Sequence, residues 1–266
     1  MPEFNLNESK CNSCGTCSSL CPTGSIQMNQ YPHQSPDSSC ISCGHCEAGC
    51  EGGALQINNP NLEPPLTNIS SKISPEELGA YMRNRRSIRN YKNKLVSPDT
   101  IKEVMDIVRY APTGMNSQPV KWVILENPSK VKELSSICID WMKKEVENDS
   151  PLSHYVPMES LIKVWNTGID PILRGAPHVF IATASDSSAT VDGIIALSHL
   201  ELALPAFGLG ACWAGYLKMA ATGYEKVNEF LNLKDDSFIG ALMVGYPESK
   251  YFRIPKRNKV DIRFLD

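Results

Sequence analysis

From residue 74 onward, apolar positions recur at the spacings of helices and strands. Ser74-Pro75-Glu76-Glu77 sets serine at an N-cap, proline at the first helical position and glutamate three residues on, which predicts a helix start. Leu78, Tyr81 and Met82 give that helix one apolar face. Ser97-Pro98-Asp99 opens a second helix, with Ile101, Val104, Met105 and Val108 at helical spacing. A strand is expected at 120–125, then a helix through Val131, Leu134, Ile137 and Trp141. Segments 178–184 and 238–244 are short, apolar and bounded by turn residues, which predicts two strands. Between them runs a helix over about 191–207, stopped near Gly208 and Gly210, and a last helix covers about 224–232. The 191–207 helix is apolar nearly all round, so it should be buried on every side, most easily with the help of a second copy of the chain. The mixture predicts an α+β fold with a small sheet covered by helices.

The first 57 residues are organised by cysteine instead. Cys11-x2-Cys14-x2-Cys17-x3-Cys21-Pro22 is followed by Cys40-x2-Cys43-x2-Cys46-x3-Cys50 at an offset of 29 residues. The same offset relates Gly15 to Gly44, Gly24 to Gly53, Ile26 to Leu55 and Gln27 to Gln56. This is an internal duplication. Three closely spaced thiolates can face one iron–sulfur cube, while the fourth of each run reaches the other cube. One 4Fe–4S cluster is therefore assigned to Cys11, Cys14, Cys17 and Cys50, and a second to Cys40, Cys43, Cys46 and Cys21. Disulfides or zinc pairs are the weaker alternative, because no export signal precedes the cysteines and the spacing is that of cluster ligands. Between the two parts, NNPNLEPPLTNISS has three prolines and no periodic apolar pattern, which marks a stiff linker. The expected domains are 1–57, a linker over 58–73, and 74–266.

Charge sharpens the division. The chain carries a formal net charge of −3. Lys10 is the one basic side chain of residues 1–57, against Glu3, Glu8, Asp37, Glu47 and Glu51. Nothing in this balance points to nucleic acid or an anionic membrane as partner. No apolar leader and no uncharged apolar run of about 18 residues is evident, so a cytoplasmic protein without a membrane span is expected.

Residues 1–57 resemble a bacterial two-cluster ferredoxin. Pro22 fits that family's habit of proline after the last cysteine of each run; Glu51 stands where the second would be.

The second domain holds four elements of interest. Arg83-Asn84-Arg85-Arg86-Ser87-Ile88-Arg89 concentrates four arginines at a helix end, and arginine forks suit phosphate, although the run alone reads more readily as a solvated helix face or an interaction patch. Ala111 to Pro119 offers amide and hydroxyl groups in a turn. Gly208-Leu209-Gly210-Ala211-Cys212-Trp213-Ala214-Gly215 has glycines that let backbone approach a ligand, without a dinucleotide fingerprint. Gly245-Tyr246-Pro247-Glu248 is followed by Ile254-Pro255-Lys256-Arg257. In this order, the segments Arg85-Arg86-Ser87-Ile88-Arg89, Asn116-Ser117-Gln118-Pro119, Gly208 to Trp213 and Gly245-Tyr246-Pro247 resemble the FMN-dependent nitroreductase family over about residues 74–266.

That resemblance implies a central mixed sheet flanked by helices and a homodimer with two FMN sites at its interface. Arg85, Arg86, Ser87 and Arg89 would hold the FMN phosphate, helped by Lys256 or Arg257. Pro112, Thr113, Asn116 and Gln118 would line the flavin, with Trp213 and the backbone of Ala214 and Gly215 at its reactive edge. Segment 140–175 is either a lid over the substrate pocket or a plain helical insert. Cys138 and Cys212 read as core thiols, and the five histidines lack metal-ligand spacing. No catalytic side chain is singled out, because the chemistry would be flavin-centred. The expected function is an oxidoreductase that takes electrons from a ferredoxin-like protein or NAD(P)H through two 4Fe–4S clusters to FMN. A small organic acceptor of nitroaromatic, quinone or activated-alkene type would receive them. The alternative is a non-enzymatic electron carrier or redox sensor.

Overall fold

The computed structural model describes residues 3–58 and 72–265. The expected linker falls almost wholly on 59–71, outside the described residues. The chain divides into two compact units, Met1–Lys72 with Thr113–Gln118, and Ile73–Pro112 with Pro119–Asp266. The excursion 113–118 thus groups with the first unit rather than with the segment that surrounds it in sequence.

The first unit contains β1 (Glu3–Leu6), α1 (Thr16–Leu20), β2 (Ile26–Met28), β3 (Pro32–Gln34), α2 (His45–Ala48) and β4 (Leu55–Asn58). Strand β1 pairs antiparallel with β4, and β2 with β3, so each two-stranded sheet joins one half of the duplication to the other. The offset of the repeat carries α1 onto α2 and β2 onto β4. It also carries Ser13 (φ 56°) onto Ser42 (φ 53°) and Gly15 (φ 76°) onto Gly44 (φ 71°). The buried apolar core is small: Cys17, Ile26, Cys46 and Leu55, again two pairs related by the repeat. Burial of each such side chain contributes roughly 1.5–3 kcal/mol, which is little against the ordering entropy of a unit this size. Units of this size commonly need a further support, such as bound metal.

The second unit contains α3 (Pro75–Asn84), α4 (Pro98–Val108), β5 (Lys121–Leu125), α5 (Pro128–Glu147), α6 (Pro151–Tyr155), α7 (Met158–Asn166), β6 (His178–Ala184), α8 (Thr190–Ala203), β7 (Gly210–Trp213), α9 (Gly215–Gly223), α10 (Glu225–Phe230) and β8 (Ser237–Gly245). The sheet order is β5-β6-β8-β7, and all three strand pairs are antiparallel. A parallel bridge joins Ser87 to Ala211 at the β7 edge. Strands β6 and β8 are apolar on both faces because helices cover both. Val179, Ile181, Ala241 and Met243 pack with Trp141, Met142 and Leu217, while Phe180, Ala182, Leu242 and Val244 pack with Val104, Val108, Leu197 and Leu200. Ser74 caps α3 by accepting the Glu77 N–H, and Glu77 returns a bond to the Ser74 N–H.

The structure refines three expectations. Strand β7 and helix α9 occupy a stretch where no element was expected from sequence. Within 140–175 the end of α5, α6 and α7 are helical, the form of a helical insert, and 167–175 is irregular. And α8, continued by a 3-10 turn over Leu204–Phe207, is not buried on every side: Val191 is 66% exposed, and 28% of the most apolar window of Ser187–Phe207 is buried. By length and composition that run could cross a membrane. Instead, its inner face packs on β6 and β8, and the sheet of a single chain covers only that side. The α3 apolar residues Leu78, Tyr81 and Met82 are likewise exposed.

Candidate functional site: two thiol-lined cavities and an arginine segment on a sheet edge

In the first unit, Cys11, Cys14, Cys17 and Cys50 line one cavity, and Cys21, Cys40, Cys43 and Cys46 line another. Each takes three thiols from one run and the fourth from the other. The left-handed Gly15 and Gly44 begin α1 and α2 with no side-chain cap, leaving first-turn N–H groups free to face the thiols. The Ala54 N–H donates to Cys50 Sγ at 3.2 Å, and the Thr16 hydroxyl lies 3.3 Å from Cys14 Sγ. That hydroxyl holds the Cys14 thiol below its ordinary pKa, whereas burial pushes Cys46 up to about 11. A buried thiol with a raised pKa ionises readily only with a cation beside it, as iron ligation supplies. The two cavities differ. The first includes Lys10, Asn12 and Glu51, while Phe4, Ile26, Ile41 and Ile57 wall the second. Among the described residues no three Cys, His, Asp or Glu side chains converge on a point for a single metal ion. Thiols spread around a void suit a cube better than a mononuclear centre.

Loop 113–118 belongs to the same unit. Asn116 Nδ2 donates to the carbonyls of Ile41 and Ser42, at 3.2 and 3.1 Å, between Cys40 and Cys43. Met115, Asn116 and Gln118 all have positive φ, and the Gln118 N–H donates to Thr113 Oγ1 at 3.1 Å.

In the second unit, the arginine segment leaves α3 and runs along β7. The Ile88 N–H donates to the Ala211 carbonyl at 2.8 Å. The Tyr91 hydroxyl donates to the Ile88 carbonyl at 2.6 Å and the Met243 carbonyl at 3.3 Å. Arg86 donates to the carbonyls of Arg83 and Arg85, but its buried Nε has no partner. Arg89 is exposed, and its contact with the Ser87 carbonyl is long, 3.4 Å. Arg85 is paired: its guanidinium donates to Glu201 Oε1 at 2.8 Å, and the Trp213 indole donates to Glu201 Oε2 at 3.1 Å. Ala214 and Gly215 follow at the start of α9, and a Cβ on Gly215 would meet only open space. Pro112 is exposed at the edge of this unit. Lys256 and Arg257 lie exposed in the irregular tail after β8.

The two glycines before Trp213 serve the fold. Gly208 caps the turn after α8 in the left-handed conformation (φ 70°). Gly210 lets Ile88 close on β7, since a Cβ there would lie 2.3 Å from Ile88 Cγ1. The near approach at Gly210 is made by a neighbouring side chain.

Residues 82–246 match the Nitroreductase family, more than half of the chain. The chain belongs to the nitroreductase family. Residues 3–51 match a 4Fe-4S dicluster domain, so the protein is a fusion of that domain with a nitroreductase domain. Among characterised relatives, iodotyrosine deiodinase of Thermotoga neapolitana is 22% identical over 68% of this chain and 94% of its own. The NADH dehydrogenase of Thermus thermophilus is 27% identical over 61% of this chain and 83% of its own. An FMN-bound nitroreductase from Bacteroides fragilis superposes with a TM-score of 0.61 at 20% identity, covering 71% of this chain and 99% of the other. At that identity the likeness establishes the fold.

Sequence reasoning passed over Glu201. Its signal was an acid in the last turn of a helix that also carries Asp192 and His199, a position that the helix dipole disfavours for a negative charge.

Proposed function

We propose that this nitroreductase-family oxidoreductase holds FMN in its second unit and two 4Fe–4S clusters in its first, passing electrons from a low-potential donor to a small organic acceptor. The observation that carries the reading is the joining, in one chain, of two four-cysteine cavities to a domain whose buried Arg86 Nε has no partner. A buried, unpaired guanidinium N–H is costly unless an anion meets it. Arg86, Ser87 and Arg89 supply charge and hydroxyl donors for a phosphate, and β7 holds the segment in place. Gly215 leaves room beside the first turn of α9, which has no side-chain cap. When bound, FMN accepts electrons one at a time from iron–sulfur clusters and delivers them as a pair. The amides and hydroxyls around the cysteines raise the cluster potentials, while burial lowers them.

A homodimer belongs to the same reading. The open face of α8, the exposed Leu78, Tyr81 and Met82 of α3, and the exposed tail side chains Tyr251, Phe252, Ile254, Val260, Ile262, Phe264 and Leu265 leave apolar surface facing solvent. A second copy would cover it and could bring Lys256 and Arg257 to a phosphate on its partner.

Protein purified without oxygen should carry about eight irons and one FMN per chain. Arg86→Ala with Arg89→Ala should remove the FMN and leave the iron. Reduction of the iron by a reduced ferredoxin should bleach the flavin absorbance, and a screen of nitroaromatics, quinones and activated alkenes should restore it. Full flavin in the double variant refutes the phosphate assignment. Reduced iron beside a flavin that never bleaches refutes the electron path.

A further inference from the structure

Glu201 ties together two ends of the second unit. Its carboxylate is largely enclosed, with the side chain 12% exposed. One oxygen takes Arg85, which is 27% exposed and forms the C-cap of α3; the other takes Trp213, the last residue of β7. Beside it the Tyr81 hydroxyl donates to the Leu202 carbonyl, so the end of α3 is fastened twice to the end of α8. For Arg85 to turn toward a phosphate it would have to leave an enclosed carboxylate behind with only an indole N–H, and breaking such a pair from one side is strongly unfavourable.

Resting on the FMN reading above, we propose that Glu201 is a positioning residue that withholds Arg85 from the flavin phosphate. The pair acts as a strut that sets the register of Arg86, Ser87 and Arg89 along β7. The phosphate charge is met by those three, and Trp213 is held by the same carboxylate at the turn into Gly215. Arg85, by composition the first of the phosphate-binding arginines, is here neutralised.

The test compares the affinities of FMN and riboflavin for the full-length protein, stripped of flavin and kept anoxic with its clusters. The two ligands differ only in the phosphate, so their affinity ratio reports phosphate contacts and is insensitive to general loosening of the site. Arg89→Ala should cut the ratio about tenfold or more. Arg85→Met should weaken both ligands together and leave the ratio within about twofold. Glu201→Gln keeps an acceptor for the Trp213 indole but removes the charge that holds Arg85. It should raise the ratio about threefold to tenfold through the freed cation, and adding Arg85→Met should abolish the gain. A ratio that collapses in Arg85→Met as it does in Arg89→Ala makes Arg85 a phosphate ligand and overturns the proposal. A ratio unmoved in Glu201→Gln does the same while leaving the FMN reading intact. Failure of the unsubstituted protein to bind either flavin overturns both.

Discussion

Placing a methyl group on Gly210 should dislodge the arginine segment without touching any ligand. The added carbon would sit 2.3 Å from Ile88 Cγ1, 3.1 Å from Ile88 Cβ and 3.2 Å from Pro247 Cγ. Comfortable carbon contacts lie at about 3.5–4.0 Å, so Ile88 must retreat by about 1 Å. Ile88 is buried, and its N–H bonds the Ala211 carbonyl, so the retreat strains or breaks that bond. Overpacking of this kind costs about 1–3 kcal/mol, and a lost backbone bond adds about 1 kcal/mol. For a unit of this size that amounts to a fall in Tm of roughly 4–16 °C. Because Ser87 and Arg89 flank Ile88, FMN affinity should fall at least about tenfold, equivalent to about 1.4 kcal/mol. Gly208→Ala is the control. Its φ of 70° makes alanine strained by about 1–2 kcal/mol, but no atom lies within 4 Å of the new carbon. It should lower Tm and leave FMN affinity unchanged. Thermal melts and titration of stripped protein by quenching of flavin fluorescence measure both quantities. Shortening Ile88 to alanine should make the Gly210 substitution far milder, with a coupling of about 1 kcal/mol or more. Equal losses of FMN affinity in the two glycine variants, or wild-type affinity in Gly210→Ala, would refute the claim that β7 aims the arginines.

Further outcomes follow from other groups. His178 is buried and its Nε2 accepts the Val96 N–H at 2.9 Å, so it is neutral in the fold and burial holds its pKa down. Protons then bind more readily to the unfolded chain, and stability should be lost as pH falls below the usual histidine value of about 6.5, by up to about 1.4 kcal/mol per pH unit. His178→Gln should flatten that slope in pH-dependent melts, and an unaltered slope counts against the assignment. Tyr91→Phe leaves the Ile88 and Met243 carbonyls short of a donor and should cost about 1–2 kcal/mol in denaturant titrations. Glu51 lines the cavity of Cys11, Cys14, Cys17 and Cys50, so Glu51→Gln should raise one cluster potential by on the order of tens of millivolts and spare the other. Redox titrations followed by electron paramagnetic resonance would show both potentials moving together if the reasoning is wrong. Stripping iron with a chelator should open the first unit to protease while the second stays resistant, because Cys17, Ile26, Cys46 and Leu55 alone are a scant core.

The sequence alone determined what depends on short-range spacing. The cysteine runs repeat at one offset, and that offset reappears as matching left-handed residues and matching short helices, because those turns are set within a few residues of each run. Strands 178–184 and 238–244 and the capped starts at Ser74 and Ser97 were legible for the same reason: their period and caps are contained within a few residues. Tertiary structure decided the rest. Whether Arg85 points to a phosphate or to Glu201 depends on a helix more than a hundred residues away, and a pairing at that distance leaves no local trace. The β7 strand was hidden because four residues are too few to show a period. That Gly210 makes room for Ile88 was likewise not legible, because Ile88 lies more than a hundred residues away in sequence. Periodicity can say that one side of α8 is apolar, but not what covers it, because burial is a property of the surfaces brought together and not of the segment that carries them.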